Sequence, residues 1–304
     1  MRRVAFIGAG RMGQTIAYSA LMDGIADEAL IFDIVANVPQ RFSDELIHAL
    51  STARVDTRVI GTNAIEDIKE ADLVVISAGK PRLPDQSRTA VFADNAKVMM
   101  ALAKELPMRN PHATYIVVTN PVDYMASIFM KSSGKYTIST GAQVENMRMR
   151  SFIAQRLGVP VTSVNGFAGG EHGENLSIFW DTVTVNGIPF DEASGGALKR
   201  DEVASYVKGI AAQVIAALGG TSWGPSRAIG DIISSFAKNK NKVLSIAAPM
   251  KYKDEVIHVS RPTVVGNPIG PTLEAALSSA DRKDIDAAAG RMYKEYKELL
   301  KTLQ

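Results

Sequence analysis

The chain has 304 residues, of which 46% are hydrophobic and 22% charged, and a formal net charge of +2. That length accommodates two domains, and the near-balanced, interspersed charge excludes the electrostatic footprint of a nucleic-acid or anionic-membrane binder. With no cysteine, disulfides, thiolate nucleophiles and Cys-ligated metals are excluded, and a cytoplasmic setting is favoured.

Arg2-Arg3 precedes a short apolar run that breaks at once into Gly8-Ala9-Gly10-Arg11, too short for a secretory core segment. No stretch reaches the roughly 20 apolar residues needed to span a bilayer, so a soluble protein with no membrane partner is expected. Strands are predicted at 4–7, 29–33, 58–60, 73–77, 115–119 and 137–140, with helices at 12–22, 39–50, 89–106 and 122–130 between them. Most of the strands are short, rich in Val and Ile, and apolar on both faces, as a helix-covered parallel sheet requires. This alternation predicts an α/β fold with a doubly wound parallel sheet.

After about residue 142 the pattern changes. A helix over 145–157 is followed by Val183-Thr184-Val185-Asn186-Gly187-Ile188-Pro189-Phe190, where Asn-Gly between β-prone runs signals a hairpin. A long helix over 201–218 stops at Gly219-Gly220, strands follow at 243–247 and 256–265, and an amphipathic helix over 281–303 closes the chain. The expected organisation is an N-terminal domain over 1–141 and a C-terminal α+β domain over 142–304.

Gly8-Ala9-Gly10-Arg11-Met12-Gly13 directly follows the first strand and opens the first helix. Glycines there permit a tight turn and close backbone approach to a pyrophosphate, while the helix N-terminus supplies N–H groups and dipole. Alone, the pattern fits an ordinary tight βα turn equally well. Asp33, twenty residues after Gly13, stands where a carboxylate accepts hydrogen bonds from adenosine ribose hydroxyls, although it can also be a cap or turn residue. Together these features predict a Rossmann-type site, and the acid favours NAD over NADP because it repels a 2′-phosphate. There is no P-loop.

Of the four histidines, His48, His112 and His258 read as surface or core residues. His172 lies in Gly169-Gly170-Glu171-His172-Gly173-Glu174, a glycine-rich setting that suits a ring reaching a ligand from a loop. Imidazole titrates near neutral pH and suits a step that moves one proton.

These motifs, with Ser77-Ala78-Gly79-Lys80-Pro81-Arg82 and Arg88, Val118-Thr119-Asn120-Pro121, and Glu145 with Arg148, occur in an order that resembles the lactate and malate dehydrogenases, particularly their archaeal malate dehydrogenase-like branch. The resemblance covers essentially the whole chain. It implies NAD as cofactor, no metal, and malate and oxaloacetate as substrate pair, with L-lactate or another 2-hydroxy acid as the alternative. A non-catalytic NAD-binding sensor is a more remote one. It further implies that His172 exchanges the proton, Arg148 grips the substrate C1 carboxylate and Arg88 polarises the carbonyl. Asn120 and Thr221 would line the substrate pocket. Gly8, Gly10, Arg11, Met12, Gly13, Asp33, Asn95, Val118 and Asn120 would hold the cofactor. Arg82 would pair with the second carboxylate of oxaloacetate, a charge that pyruvate lacks. The resemblance also implies a homo-oligomer, with a tetramer favoured over a dimer.

Two features depart from the family pattern. Glu145 stands where aspartate normally orients the histidine, which leaves Glu171, Glu174 or a water as alternative partners. Leu83 and Asp85 alter the loop between Arg82 and Arg88. Thr221-Ser222-Trp223 resembles lactate enzymes more than malate ones.

Overall fold

Val4 and Phe6 of the first strand face one apolar layer, and Ala5 and Ile7 face another. Burial on both sides is what a central parallel strand requires. The computed structural model describes residues 1–80 and 88–303, with the side chains of residues 88 and 89 outside the description. Strands β1 (Arg3–Ile7), β2 (Glu28–Phe32), β3 (Arg58–Thr62), β4 (Leu73–Ile76), β5 (Thr114–Val117) and β6 (Thr137–Ser139) alternate with helices α1 (Arg11–Leu21), α2 (Val38–Ala53), α3 (Arg88–Arg109) and α4 (Val122–Ser133). All six strands pair parallel in the order β3-β2-β1-β4-β5-β6. The order reverses between β1 and β4, which opens a crevice at the carboxyl ends of the strands. The doubly wound parallel sheet expected from the sequence is therefore present.

The second half comprises α5 (Gln143–Leu157), β7 (Val164–Gly170), β8 (Leu176–Val185), β9 (Ile188–Pro189), α6 (Phe190–Ser194), α7 (Arg200–Leu218), α8 (Trp223–Ala237), β10 (Lys242–Tyr252), β11 (Glu255–Val265) and α9 (Ser279–Lys301). Its strands pair antiparallel and extend the same sheet as β6-β10-β11-β7-β8-β9. The joints are narrow: Ala247 opposes Ser139, and Ser260 opposes Gly170. The predicted hairpin turn forms at Asn186 (φ 54°) and Gly187 (φ 80°), both in the left-handed region that this turn demands.

Two elements escape the sequence reading. Helix α8 contains Gly224, Pro225, Gly230 and paired serines, all poor helix formers, and forms because α1 packs on it. Ser226 Oγ donates to Thr15 Oγ1 at 2.6 Å, and a Cβ on Gly230 would meet Ser19 Oγ at 2.7 Å. Strand β7 contains three glycines and reads as a loop, yet Gly169 lies flat against Phe179, where a Cβ would come within 2.5 Å of the ring. Among the described residues, no helix is long and apolar enough to cross a membrane.

Candidate active site

The β1–α1 turn is built for an anion. Gly8 adopts φ +102°, with its backbone so close to Ala78 that a Cβ would lie 2.7 Å from the Ala78 nitrogen. A Cβ on Gly13 would meet Gly8 O at 1.9 Å, whereas one on Gly10 would meet nothing within 4 Å. Gly8 and Gly13 thus serve packing, and Gly10 borders open space. Helix α1 has no side-chain cap and no acid in its first turn, which leaves its first N–H groups and dipole available to phosphate oxygens. Asp33 Oδ2 accepts from Ala9 N–H at 2.7 Å and Oδ1 from Val35 N–H at 2.8 Å, tying the glycine turn to the end of β2. Its remaining lone pairs suit ribose hydroxyls. The residues present therefore fit a dinucleotide.

Arg11 is exposed and donates to Leu218 O at the end of α7, and Met12 packs against the core. Val118 N–H is spent on Ile76 O at 2.8 Å. Asn95 is fully engaged inside the protein: Oδ1 accepts from Lys80 N–H at 2.7 Å, and Nδ2 donates to Asn120 O at 2.7 Å. It joins the loops after β4 and β5 and so builds the cleft wall. Asn120 itself is exposed, at the head of α4. Thr221 sits partly buried between α7 and α8. Arg82 lies outside the described residues, as does the side chain of Arg88, whose backbone opens α3.

Three elements bring His172 and its partners together. Strand β7 ends at Gly170 (φ +86°), which with Gly173 (φ +105°) lets the chain turn sharply around the histidine. Helix α5 carries Glu145 and Arg148 three residues apart, on one face. Between β6 and α5, Gly141 (φ +53°) is pressed so close to β10 that a Cβ would lie 2.4 Å from Ala247 N, so its carbonyl can face the imidazole. His172 Nδ1 lies 3.0 Å from Gly141 O and 3.1 Å from Glu145 Oε2. A carbonyl only accepts, so Nδ1 bears the hydrogen and Nε2 is the nitrogen that can serve a substrate. Glu145 Oε1 accepts from Arg148 Nη1 at 3.3 Å, leaving most of that guanidinium fork for an anion.

Electrostatics follow this geometry. Burial opposes charge on His172, but the Glu145 carboxylate, aided by Asp123, outweighs it and raises the imidazole to about 9. For Glu145, burial is outweighed by His172 and Arg148, and the carboxyl is held below its ordinary value. Glu145 therefore reaches the imidazole Nδ1 in spite of its extra methylene. Glu171 instead accepts from Asn175 Nδ2 at 2.9 Å, and Glu174 is exposed.

Sequence reasoning missed Asp123, whose Oδ2 accepts the His172 main-chain N–H at 2.9 Å. The signal was the lone charge in Val122-Asp123-Tyr124-Met125-Ala126-Ser127-Ile128-Phe129, the stretch of α4 that is buried throughout. His258 is a core residue as expected: its Nδ1 lies 3.0 Å from Ser127 Oγ and its Nε2 2.8 Å from Thr137 O.

Residues 2–138 match the family model of the lactate/malate dehydrogenase NAD binding domain, and residues 143–303 that of the lactate/malate dehydrogenase alpha/beta C-terminal domain. A malate dehydrogenase of Sulfolobus acidocaldarius is 53% identical over 304 residues, covering 100% of this chain and 99% of that protein. One of Sulfurisphaera tokodaii is 51% identical, covering 100% of this chain and 98% of its own. Among solved structures, a Cryptosporidium parvum lactate dehydrogenase complexed with lactic acid and NAD superposes with TM-score 0.90 at 27% identity, covering 98% of each chain. The chain belongs to the lactate/malate dehydrogenase family.

Proposed function

We propose that this chain is an NAD-dependent malate dehydrogenase that interconverts malate and oxaloacetate, with His172 as general acid and base. The observation that carries this reading is the constellation in which one carboxylate, Glu145, holds both His172 and Arg148. Full-length similarity to malate dehydrogenases supports the substrate pair.

When bound, the reduced nicotinamide supplies hydride to the carbonyl carbon of the substrate. His172 delivers a proton from Nε2 to the carbonyl oxygen, and Glu145 stabilises the imidazolium poised to do so. Arg148 grips the C1 carboxylate, Arg88 polarises the carbonyl, and Asn120 and Thr221 line the pocket. Arg82 pairs with the second carboxylate; pyruvate offers no charge for it to pair with, which selects against that substrate. Gly8, Gly10, Arg11, Met12, Gly13, Asp33, Asn95 and Val118 form or buttress the cofactor groove.

On this reading residues 1–141 form the NAD-binding domain and residues 142–304 the α+β domain that carries His172, Glu145, Arg148 and Thr221, while Arg82, Arg88 and Asn120 reach the substrate from the first. The protein works in the cytoplasm as a homotetramer in the tricarboxylic acid cycle. The exposed apolar side chains Ile215, Leu218 and Trp223, close together in sequence, support self-association, which sedimentation velocity measures.

The decisive experiment follows NADH absorbance with oxaloacetate and with pyruvate, for the native protein and Arg82→Gln. A preference for oxaloacetate that collapses in the variant is expected. Activity mainly on pyruvate would establish a lactate dehydrogenase, and activity on neither would leave a bulkier 2-oxo acid as substrate or a cofactor-binding sensor.

A further inference from the structure

The hydrogen bonds behind His172 close into a ring. Asp123 Oδ1 accepts from Ser139 Oγ at 2.6 Å, and Ser139 Oγ accepts from Gly141 N–H at 3.3 Å. The Gly141 carbonyl accepts from His172 Nδ1 at 3.0 Å, and the His172 main-chain N–H returns to Asp123 Oδ2 at 2.9 Å. The four residues come from α4, from the end of β6 and the turn after it, and from the loop after β7.

We propose that Asp123 is a positioning residue for His172, fixing both the main chain that carries the imidazole and the carbonyl that sets its tautomer. This rests on the reading of His172 as the proton donor. Gly170 and Gly173 flank Glu171-His172 with positive φ, so the loop draws little stiffness from its own backbone. Asp123 supplies that order from outside. Its carboxylate is only 2% exposed, and among the described residues it forms no ion pair with Lys or Arg. A buried charge persists only when hydrogen-bonded or paired. Here each carboxylate oxygen accepts one hydrogen bond, Oδ1 from Ser139 and Oδ2 from His172, and the first turn of α4 favours an anion.

The charged and titratable groups around it are His172 and Glu171 on the loop, and Glu145 with Arg148 on α5 beyond the imidazole. Its neighbour Tyr124 donates to Glu295 of α9 at 2.9 Å, and His258 of β11 meets α4 through Ser127. Burial raises the Asp123 carboxyl to about 6, against the opposing pull of His172 and Ser139. Asp123 in turn favours the charged imidazole. Its role is distinct from that of Glu145, which holds the ring itself.

The test uses the full-length protein and Asp123→Asn. The amide keeps the side-chain shape but removes the charge and turns one acceptor into a donor. Turnover of oxaloacetate should fall about tenfold to a hundredfold with KM changed less than about threefold, as for a weakened general acid. The His172 Cε1–H resonance, assigned through His172→Gln, should titrate about one unit lower. In the native protein the His172 amide proton should show an inflection near pH 6, the Asp123 ionisation seen through its hydrogen bond. Native turnover with an unmoved imidazole midpoint in a folded variant overturns the proposal. If the variant does not fold, the native amide titration decides, and absence of the inflection overturns it. That titration needs no substrate, so a native protein inactive on oxaloacetate would sink the assigned activity and leave the ring under test.

Discussion

Glu145 Oε2 lies 3.1 Å from His172 Nδ1, on a side chain only 1% exposed. The same ring nitrogen lies 3.0 Å from Gly141 O, so its hydrogen is shared between an anion and a neutral carbonyl. The two acceptors divide the work. Gly141 fixes which nitrogen bears hydrogen, and Glu145 stabilises the doubly protonated ring.

Replacing Glu145 by Gln separates those contributions. Gly141 O still holds the Nδ1 hydrogen, so the tautomer survives while the charge is lost. Oxaloacetate turnover should fall about tenfold to a hundredfold, less than the loss of about a thousandfold or more in His172→Gln, where no proton donor remains. Steady-state kinetics on both variants checks this. Equal losses would mean that the carboxylate, and not the carbonyl, sets the tautomer.

The raised imidazole predicts opposite pH profiles for the two directions. Oxaloacetate reduction needs protonated His172, so kcat/KM should hold through neutral pH and fall above about 9. Malate oxidation needs the neutral ring and should rise towards the same pH. Midpoints near 6.5 in both directions would show that Glu145 and Asp123 do not hold the proton in solution.

Sequence patterns revealed the Rossmann half almost completely, because β1 and β4 are apolar on both faces and the glycine turn is local. They were weaker where tertiary contacts override propensity. Helix α8 contains glycine and proline, and β7 contains three glycines; each forms because a neighbour packs directly on its backbone. At the site, His172, Glu145 and Arg148 were legible because each lies in a short motif. Asp123 was not. Its role depends on a contact across 49 positions of sequence, which no local spacing reports.

His258 gives the fold a sensitivity to acid. Burial lowers its imidazole to about 4, opposed by the Thr137 carbonyl. Between pH 6.5 and 4 the unfolded chain binds a proton there that the native state refuses, so stability is lost as the pH falls through this window. A shift of that size corresponds to about 3 kcal/mol at full extent. Asp123 acts in the opposite sense below about 6, because its native carboxyl takes up a proton before the unfolded one does. Urea midpoints at pH 7 and pH 5 should therefore fall less in His258→Gln than in the native protein. An equal fall would exclude His258 as the source.

Gly10 and Gly13 make a paired test of the cofactor groove, because a methyl group meets different surroundings at each. At Gly13 it would strike Gly8 O at 1.9 Å and Ser77 Oγ at 2.7 Å, so helix and strand must separate. Gly13→Ala should lower the melting temperature and abolish NADH binding together, the clash costing about 1–3 kcal/mol or more. At Gly10 the methyl enters open space, and φ −76° is accessible to alanine, so the fold is unaffected. That space is where a pyrophosphate would approach the uncapped end of α1, so Gly10→Ala should keep the native melting temperature and weaken NADH about tenfold or more. Melting curves and NADH fluorescence titrations resolve the two effects. Native affinity in Gly10→Ala would place the dinucleotide elsewhere.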